Sequence, residues 1–332
     1  MKGRLQIETV GSVVLKGNPL GDPRLRQLPV YLPPSYGAKR GMRYPVLYYL
    51  AGFTGGGRTV INHHPWKENL AERVDRLIAS GHLRECVLVI PDCFTAYGGS
   101  QYLNSTATGR YEDHVVEELV PFIEDKFAVS REAAGRALIG KSSGGYGALM
   151  LGMRHPDVFG HIVSHSGDMS FEVTCEGSAA RFCAFLEKYG ASVERFTKEF
   201  LASRDKESYD HEAVNMIAMS ACYAPNPKSP LGFDLLCDPR TGERRLAVWK
   251  RWLANDPIVA APRHRAGLKK LKSLFFDCGT KDEYYLHLGA RKLSQVLKGL
   301  GVAHVYQEHG FGHGNMASRY DVSLKYLSSR LK

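Results

Sequence analysis

Hydrophobic residues fall along this chain in two alternating rhythms. Residues 136–139 (RALI), 160–164, 273–279 (SLFFDCG) and 303–308 (AHVYQE) read as strands, and short unbroken apolar runs occupy 45–50 (PVLYYL) and 86–90 (CVLVI). Runs of this length, apolar throughout, predict strands buried on both faces. Two earlier segments, 11–16 and 26–32, also read as strands, joined by the turn cluster NPLGDP. Between the runs, apolar residues return at helical spacing over 66–80, 111–127, 145–155, 285–300 and 315–331. In the second of these, Val115, Val116, Leu119, Phe122 and Ile123 share one side. Strands alternating with helices predict a mostly parallel sheet covered on both faces.

One region departs from the alternation. Residues 169–261 carry no strong strand signal, only short helical patterns with proline-rich joints such as APNPKSPLG. We read 1–332 as one α/β domain, with 169–261 inserted as a helical cap over the strand ends.

The stretch GRALIGKSSGGYGAL, from Gly135 to Leu149, fits two motifs. Gly135, Gly140, Lys141 and Ser142 spell a phosphate-binding loop. Gly140, Ser142 and Gly144 spell the G-x-S-x-G elbow of serine hydrolases. A phosphate loop needs a buried strand before its first glycine. The residues there, AVSREAA, are polar and helix-prone. The elbow needs a strand, then the serine, then glycines opening a helix, and ALI-GKSSGGYGAL supplies that order.

A serine hydroxyl needs a base, and the base needs an acid to hold its tautomer. In elbow enzymes the partners follow in the order serine, acid, histidine, on loops after later strands. CGTKDEYYL offers Asp282, with Glu283 as fallback. HGFGHGN offers His313, with His309 as fallback. Asp277 falls inside a strand, too early to reach the loop. The oxyanion of a tetrahedral intermediate needs two N–H donors. Ser143, after the nucleophile, supplies one, and AGFTGGG supplies the other, at Phe53. Thr54 beside it, Gln101 and Asn104 in the loop after CVLVIPD, and Asp168 after HSG are candidate substrate contacts. Gln101, Asn104 and Asp168 serve equally well as structural ties.

Composition narrows the alternatives. The formal net charge is +10, but lysine and arginine are spread over the whole chain. A nucleic-acid surface would gather them on one face. The seven cysteines are scattered, odd in number and without C-x-x-C, which argues against a disulfide framework or zinc site. Cys86, Cys93 and Cys278 read as inert core thiols. The pair His63–His64 has no third ligand in a metal-binding pattern. Trp249 and Trp252 read as core. No run is apolar enough to span a bilayer, and the N-terminal residues lack a signal-peptide core. The expectation is a cytoplasmic enzyme without metal or cofactor and without nucleic-acid or membrane partners; a homo-oligomer stays open.

Together, VYLPPSY, YPVLYYLAGFTGGG, GGSQYLNS, GKSSGGYGAL, CGTKDEYYL and GFGHG resemble an esterase family of α/β-hydrolases. That family includes feruloyl esterases, S-formylglutathione hydrolases, siderophore esterases and mycolyltransferases. The elbow there more often reads G-x-S-M-G-G; here Ser143 replaces the methionine. The resemblance implies Ser142 as nucleophile, Asp282 as acid, His313 as base and Phe53 as an oxyanion donor. It implies a serine carboxylesterase for small or aryl esters. A thioesterase of the S-formylglutathione type and a feruloyl esterase are the neighbouring alternatives. A nucleotide-binding phosphate loop and an inactive binding protein are remote ones.

Overall fold

The computed structural model describes residues 1–38 and 40–332. Eight strands form one sheet: β1 Arg4–Gly11, β2 Leu25–Leu32, β3 Val46–Leu50, β4 Val87–Val89, β5 Arg136–Lys141, β6 His161–His165, β7 Ser273–Gly279 and β8 Val305–His309. Their order across the sheet is β1-β2-β4-β3-β5-β6-β7-β8. β2 runs antiparallel to β1 and β4, and all other neighbours are parallel.

The central strands are buried almost throughout because each of their faces meets helices. Val46, Tyr48 and Leu50 of β3 join the cluster that packs against the helices Ser143–Arg154 and Leu286–Gly299. Leu47 and Tyr49 point the other way, toward the helices Leu70–Ala79 and Ser318–Ser328. The two-residue side-chain period thus divides one strand between two cores.

The phosphate-loop reading meets a direct obstacle here. Residues 136–141 are β5, in register with β3 on one side and β6 on the other. Their amides lie in the sheet rather than around an anion.

Three predicted boundaries move, each for a local reason. The first strand ends at Gly11 instead of spanning 11–16. Beyond it the Glu118 carboxylate accepts the Val13 and Val14 amides at 2.7 and 3.0 Å, and the Ser12 hydroxyl accepts the Leu15 amide at 3.0 Å. Those bonds curl the chain into a turn. The helix expected from residue 66 starts at Leu70, where Asn69 and Glu72 form a reciprocal capping box. Trp66 is left outside it, 96% exposed. The helix expected over 111–127 is π-helical from His114 to Leu119 before Val120–Lys126 resumes α-geometry. Pro121 has no amide to continue the regular ladder there.

Between β6 and β7 the chain forms the helices Phe171–Thr174, Glu176–Leu186, Val193–Ala202, His211–Tyr223, Leu246–Ala254, Pro257–Arg263 and Arg265–Lys270. They share the apolar cluster of the sheet through Phe171, Phe196, Tyr223, Trp249 and Trp252. The buried Asp256 carboxylate accepts the amides of Ser170, Phe171 and Ile258 at 3.1, 2.7 and 2.9 Å. One side chain therefore starts two helices and ties them together.

Candidate active site

β5 delivers Ser142 at its C-terminal end, and the helix Ser143–Arg154 starts immediately after it. Ser142 holds φ 57° and ψ −126°, a conformation open to glycine and costly for any residue with a Cβ. Neighbouring bonds enforce it. The Ser142 amide donates to the His165 carbonyl at 2.9 Å, and the Ser142 carbonyl accepts the Tyr146 amide at 2.9 Å. The turn closes only because Gly140 and Gly144 lack side chains. A Cβ at Gly140 would collide with the Gly144 carbonyl, and one at Gly144 with the Leu50 carbonyl.

The support beneath this turn is polar and buried. His165 Nδ1 lies 2.6 Å from Asp277 Oδ1, and its Nε2 lies 2.9 Å from the Ser323 hydroxyl. Arg319 donates to the other Asp277 oxygen at 2.8 Å. This group locks the ends of β6 and β7 to the last helix. It also occupies Asp277, which stays inside its strand as the sequence pattern implies.

Asp282 and His313 meet after β7 and β8. His313 Nδ1 is 2.8 Å from Asp282 Oδ2, with the carboxylate side chain fully buried. The second carboxylate oxygen accepts the Tyr284 amide at 3.0 Å. Burial works to raise the Asp282 carboxyl. The hydrogen bond and charge of His313, with the Tyr284 and Leu286 amides, outweigh it and hold the group below the ordinary carboxylate range.

The fallback residues have other employment. Glu283 accepts the backbone amide of His313 at 2.7 Å, so it fixes the loop rather than the ring. His309 keeps both ring nitrogens buried without partners among the described residues, and burial lowers its pKa. The Tyr284 ring meets the His313 ring edge-on, with centroids 4.9 Å apart.

Ser142, Ser143, Phe53, Thr54, Asp168 and His313 all line one cavity of about 840 Å³. The helices Phe171–Thr174 and His211–Tyr223 close part of it with Phe171, Met216 and Met219. The Phe53 amide donates to no acceptor among the described residues, whereas Thr54 donates to the Gly98 carbonyl at 2.8 Å. Ser143 is the first residue of its helix, where backbone N–H groups have no intrahelical acceptor. The positive end of that helix adds to the attraction for an anion.

Tyr102 anchors the Phe53 loop by donating to the Ala51 carbonyl at 2.7 Å. Its ring occupies space that a Cβ on Gly147 would take. No periodicity marks this contact in the sequence.

The remaining candidate contacts separate. Asp168 faces the cavity, and burial pushes its carboxyl up to about 6 against the lowering influence of His313 and Ser143. Gln101 and Asn104 are not among the described residues that line the cavity. Gln101 is buried at φ 51° in the loop beside Tyr102. Asn104 exchanges hydrogen bonds with Asp113, side chain to side chain at 2.7 Å and from the Asp113 amide at 3.2 Å. Lys141, the residue that completed the phosphate-loop pattern, also lines the cavity. Burial lowers its amine pKa, and the Asp282 and Glu283 charges oppose that shift.

Comparison with known proteins agrees with this fold. A bifunctional endo-1,4-beta-xylanase/feruloyl esterase of Xylanibacter ruminicola is 30% identical over 140 residues, covering 40% of this chain and 18% of that protein. The uncharacterized protein YbbA of Bacillus subtilis is 27% identical over 169 residues, covering 46% of this chain and 60% of YbbA. The chain thus spans less than two thirds of the length of these relatives. A solved ferulic acid esterase superposes with a TM-score of 0.63 at 21% identity, covering 99% of both chains. An S-formylglutathione hydrolase from Agrobacterium tumefaciens does so with 0.59 at 16% identity, covering 100% of this chain and 96% of that one. These likenesses establish the α/β-hydrolase fold. Residues 23–316, from β2 through the loop that carries His313, match a single family description, and the chain belongs to that family, Putative esterase.

Proposed function

We propose that this protein is a serine carboxylic-ester hydrolase that works through an acyl-enzyme. The observation that carries the reading is the buried Asp282–His313 hydrogen bond at the rim of the cavity that holds the strained Ser142. Ser142 Oγ attacks the ester carbonyl, and His313 takes its proton. Asp282 keeps the His313 proton on Nδ1, leaving Nε2 free to act as the base. The Phe53 and Ser143 amides receive the oxyanion. His313 then passes the proton to the departing alcohol. Water, activated by the same ring, releases the acid and restores Ser142. Each step uses groups of the chain alone, so the reading includes no cofactor.

The helical segment 169–261 serves as the cap within a single domain, and the substrate is a small ester in the cytoplasm. Among the described residues no helix is long and apolar enough to cross a membrane. The names of similar proteins point to two chemistries for the same site, hydroxycinnamate esters and S-formylglutathione.

Labelling with a fluorophosphonate probe tests the mechanism. Wild type gains one covalent adduct on Ser142, and Ser142→Ala gains none. An adduct that persists in a folded Ser142→Ala protein refutes the assignment. Rates on acyl nitrophenyl esters, a hydroxycinnamate ester and S-formylglutathione separate the substrate classes.

A further inference from the structure

Asp168 follows β6 and opens onto the cavity. Among the described residues its carboxylate makes one long contact, 3.4 Å from the Ser143 hydroxyl. A carboxylate offers about four acceptor sites, so most of its capacity is unused. The wall beside it is apolar, formed by Phe171, Met216 and Met219.

The same cavity holds a second unanswered polar group. The side chain of Asn215, on the helix His211–Tyr223, makes no hydrogen bond among the described residues, and its Oδ1 is buried without a partner. Its amide is an acceptor one way round and a donor the other. Buried polar atoms in folded proteins find partners almost without exception. Here the Asp168 and Asn215 side chains both border the cavity, so a substrate group held there is an available partner.

The chemistry of that molecule follows from the carboxylate. An ionised carboxyl only accepts hydrogen bonds, and it repels a second carboxylate. The charges around Asp168 do not change its role. His313 and Asp282 act on it in opposite directions. Arg181 is held by Glu212 through two contacts of 3.0 Å. Lys141 lies by Asp282 and Glu283.

We propose that Asp168, aided by Asn215, receives a hydrogen-bond donor carried by the substrate, such as a hydroxyl group, and turns away esters that carry a carboxylate there. The proposal rests on the reading that the ester is cleaved in this cavity. It makes Asp168 a determinant of specificity and leaves bond cleavage to Ser142 and His313.

The test compares kcat/KM across three matched 4-nitrophenyl ester series, the alkanoates, ω-hydroxyalkanoates and ω-carboxyalkanoates. A second set carries the same three end groups on the alcohol side of acetate esters. All are measured well above the pH at which Asp168 titrates. In wild type, one set shows a preference for hydroxyl over alkyl ends of about tenfold or more, the range of a charge-assisted hydrogen bond, and carboxylate ends react slowest. Asp168→Asn, which keeps shape and removes charge, raises the relative rate of the carboxylate series by about tenfold or more. Asn215→Leu weakens the hydroxyl preference while carboxylates stay rejected.

Ratios between substrates of one variant cancel any general loss of rate, and thermal melting confirms that each variant folds. If Asp168→Asn leaves every ratio unchanged in both sets, the proposal is overturned. The ratios report on this site whichever residue attacks, so activity surviving in Ser142→Ala would fail the mechanism and leave this result standing.

Discussion

Replacing Ser142 by glycine should make the protein more stable than replacing it by alanine, although both variants lose the hydroxyl. The reason is the backbone at φ 57° and ψ −126°. Alanine keeps the Cβ that makes this conformation costly, by ~1–3 kcal/mol. Glycine removes that cost but gives up ~0.5–1 kcal/mol through the greater freedom of the unfolded chain. The difference leaves glycine ahead by ~0–2.5 kcal/mol. At ~2.1 cal/mol/K per residue, unfolding 332 residues releases ~0.7 kcal/mol/K. The glycine variant should therefore melt up to ~4 °C above the alanine variant. Differential scanning calorimetry, with urea midpoints as a second measure, resolves that gap. Neither variant should hydrolyse ester, so the stability gained is the strain that the wild-type elbow holds for function. If glycine melts below alanine, the elbow is unstrained and the cost assigned to the Ser142 backbone does not exist.

Asp282→Asn should lower kcat by about 10⁴-fold because the amide favours the wrong tautomer of His313. Glu283→Gln should cost only a few-fold, since its carbonyl still accepts the His313 amide; steady-state kinetics on one nitrophenyl ester compares them. Asp168 gives a pH signature. Its folded pKa of about 6 lies above the ordinary 3.8, so its contribution to stability is full below that ordinary value and is lost as pH rises through the folded one. Relative to wild type, Asp168→Asn should gain stability between these pH values, by at most ~3 kcal/mol, and a constant difference in urea midpoints would contradict the raised pKa. Magnesium with ATP should leave the melting temperature unchanged, because the amides of 136–141 lie in the sheet. A true site filled a hundredfold over Kd would add ~2.7 kcal/mol.

The strands from 136 onward were legible because each centres on a short apolar stretch, as in ALI, HIV, LFF and VY, between helical patterns. The elbow was legible because tight geometry admits few residues at Gly140, Ser142 and Gly144. The candidate acid and base were readable from order alone, at the ends of strands whose positions were already fixed. Other features left no local signal. Glu118 ends the first strand from 106 residues away in sequence, and nothing in the segment 11–16 announces a distant carboxylate. Glu283 looked like a spare acid; only the folded loop reveals that its oxygen meets a backbone amide. Gln101 and Asn104 are polar residues in a loop near the cavity, and sequence carries no information on which way such side chains turn. Asn215 lay in the segment with the weakest pattern. A lone asparagine on a helix is usually solvated, so its type and position carry no signal of a cavity-lining role.

The strands that bracket the long helical segment are paired with each other, from His161 against Ser273 to His165 against Asp277. Chain can therefore be added, removed or exchanged between them without altering a single ladder bond. The entropic charge for a longer connection grows only as the logarithm of its length. Ser142 precedes the segment, and Asp282 and His313 follow it, so all three are anchored to strand ends whose pairing does not pass through it. Asn215, Met216 and Met219 are encoded inside it. On the proposed reading, reactivity and taste are thus written in separate passages of one gene. A lineage could rewrite the second through grafts and deletions while inheriting the first unchanged.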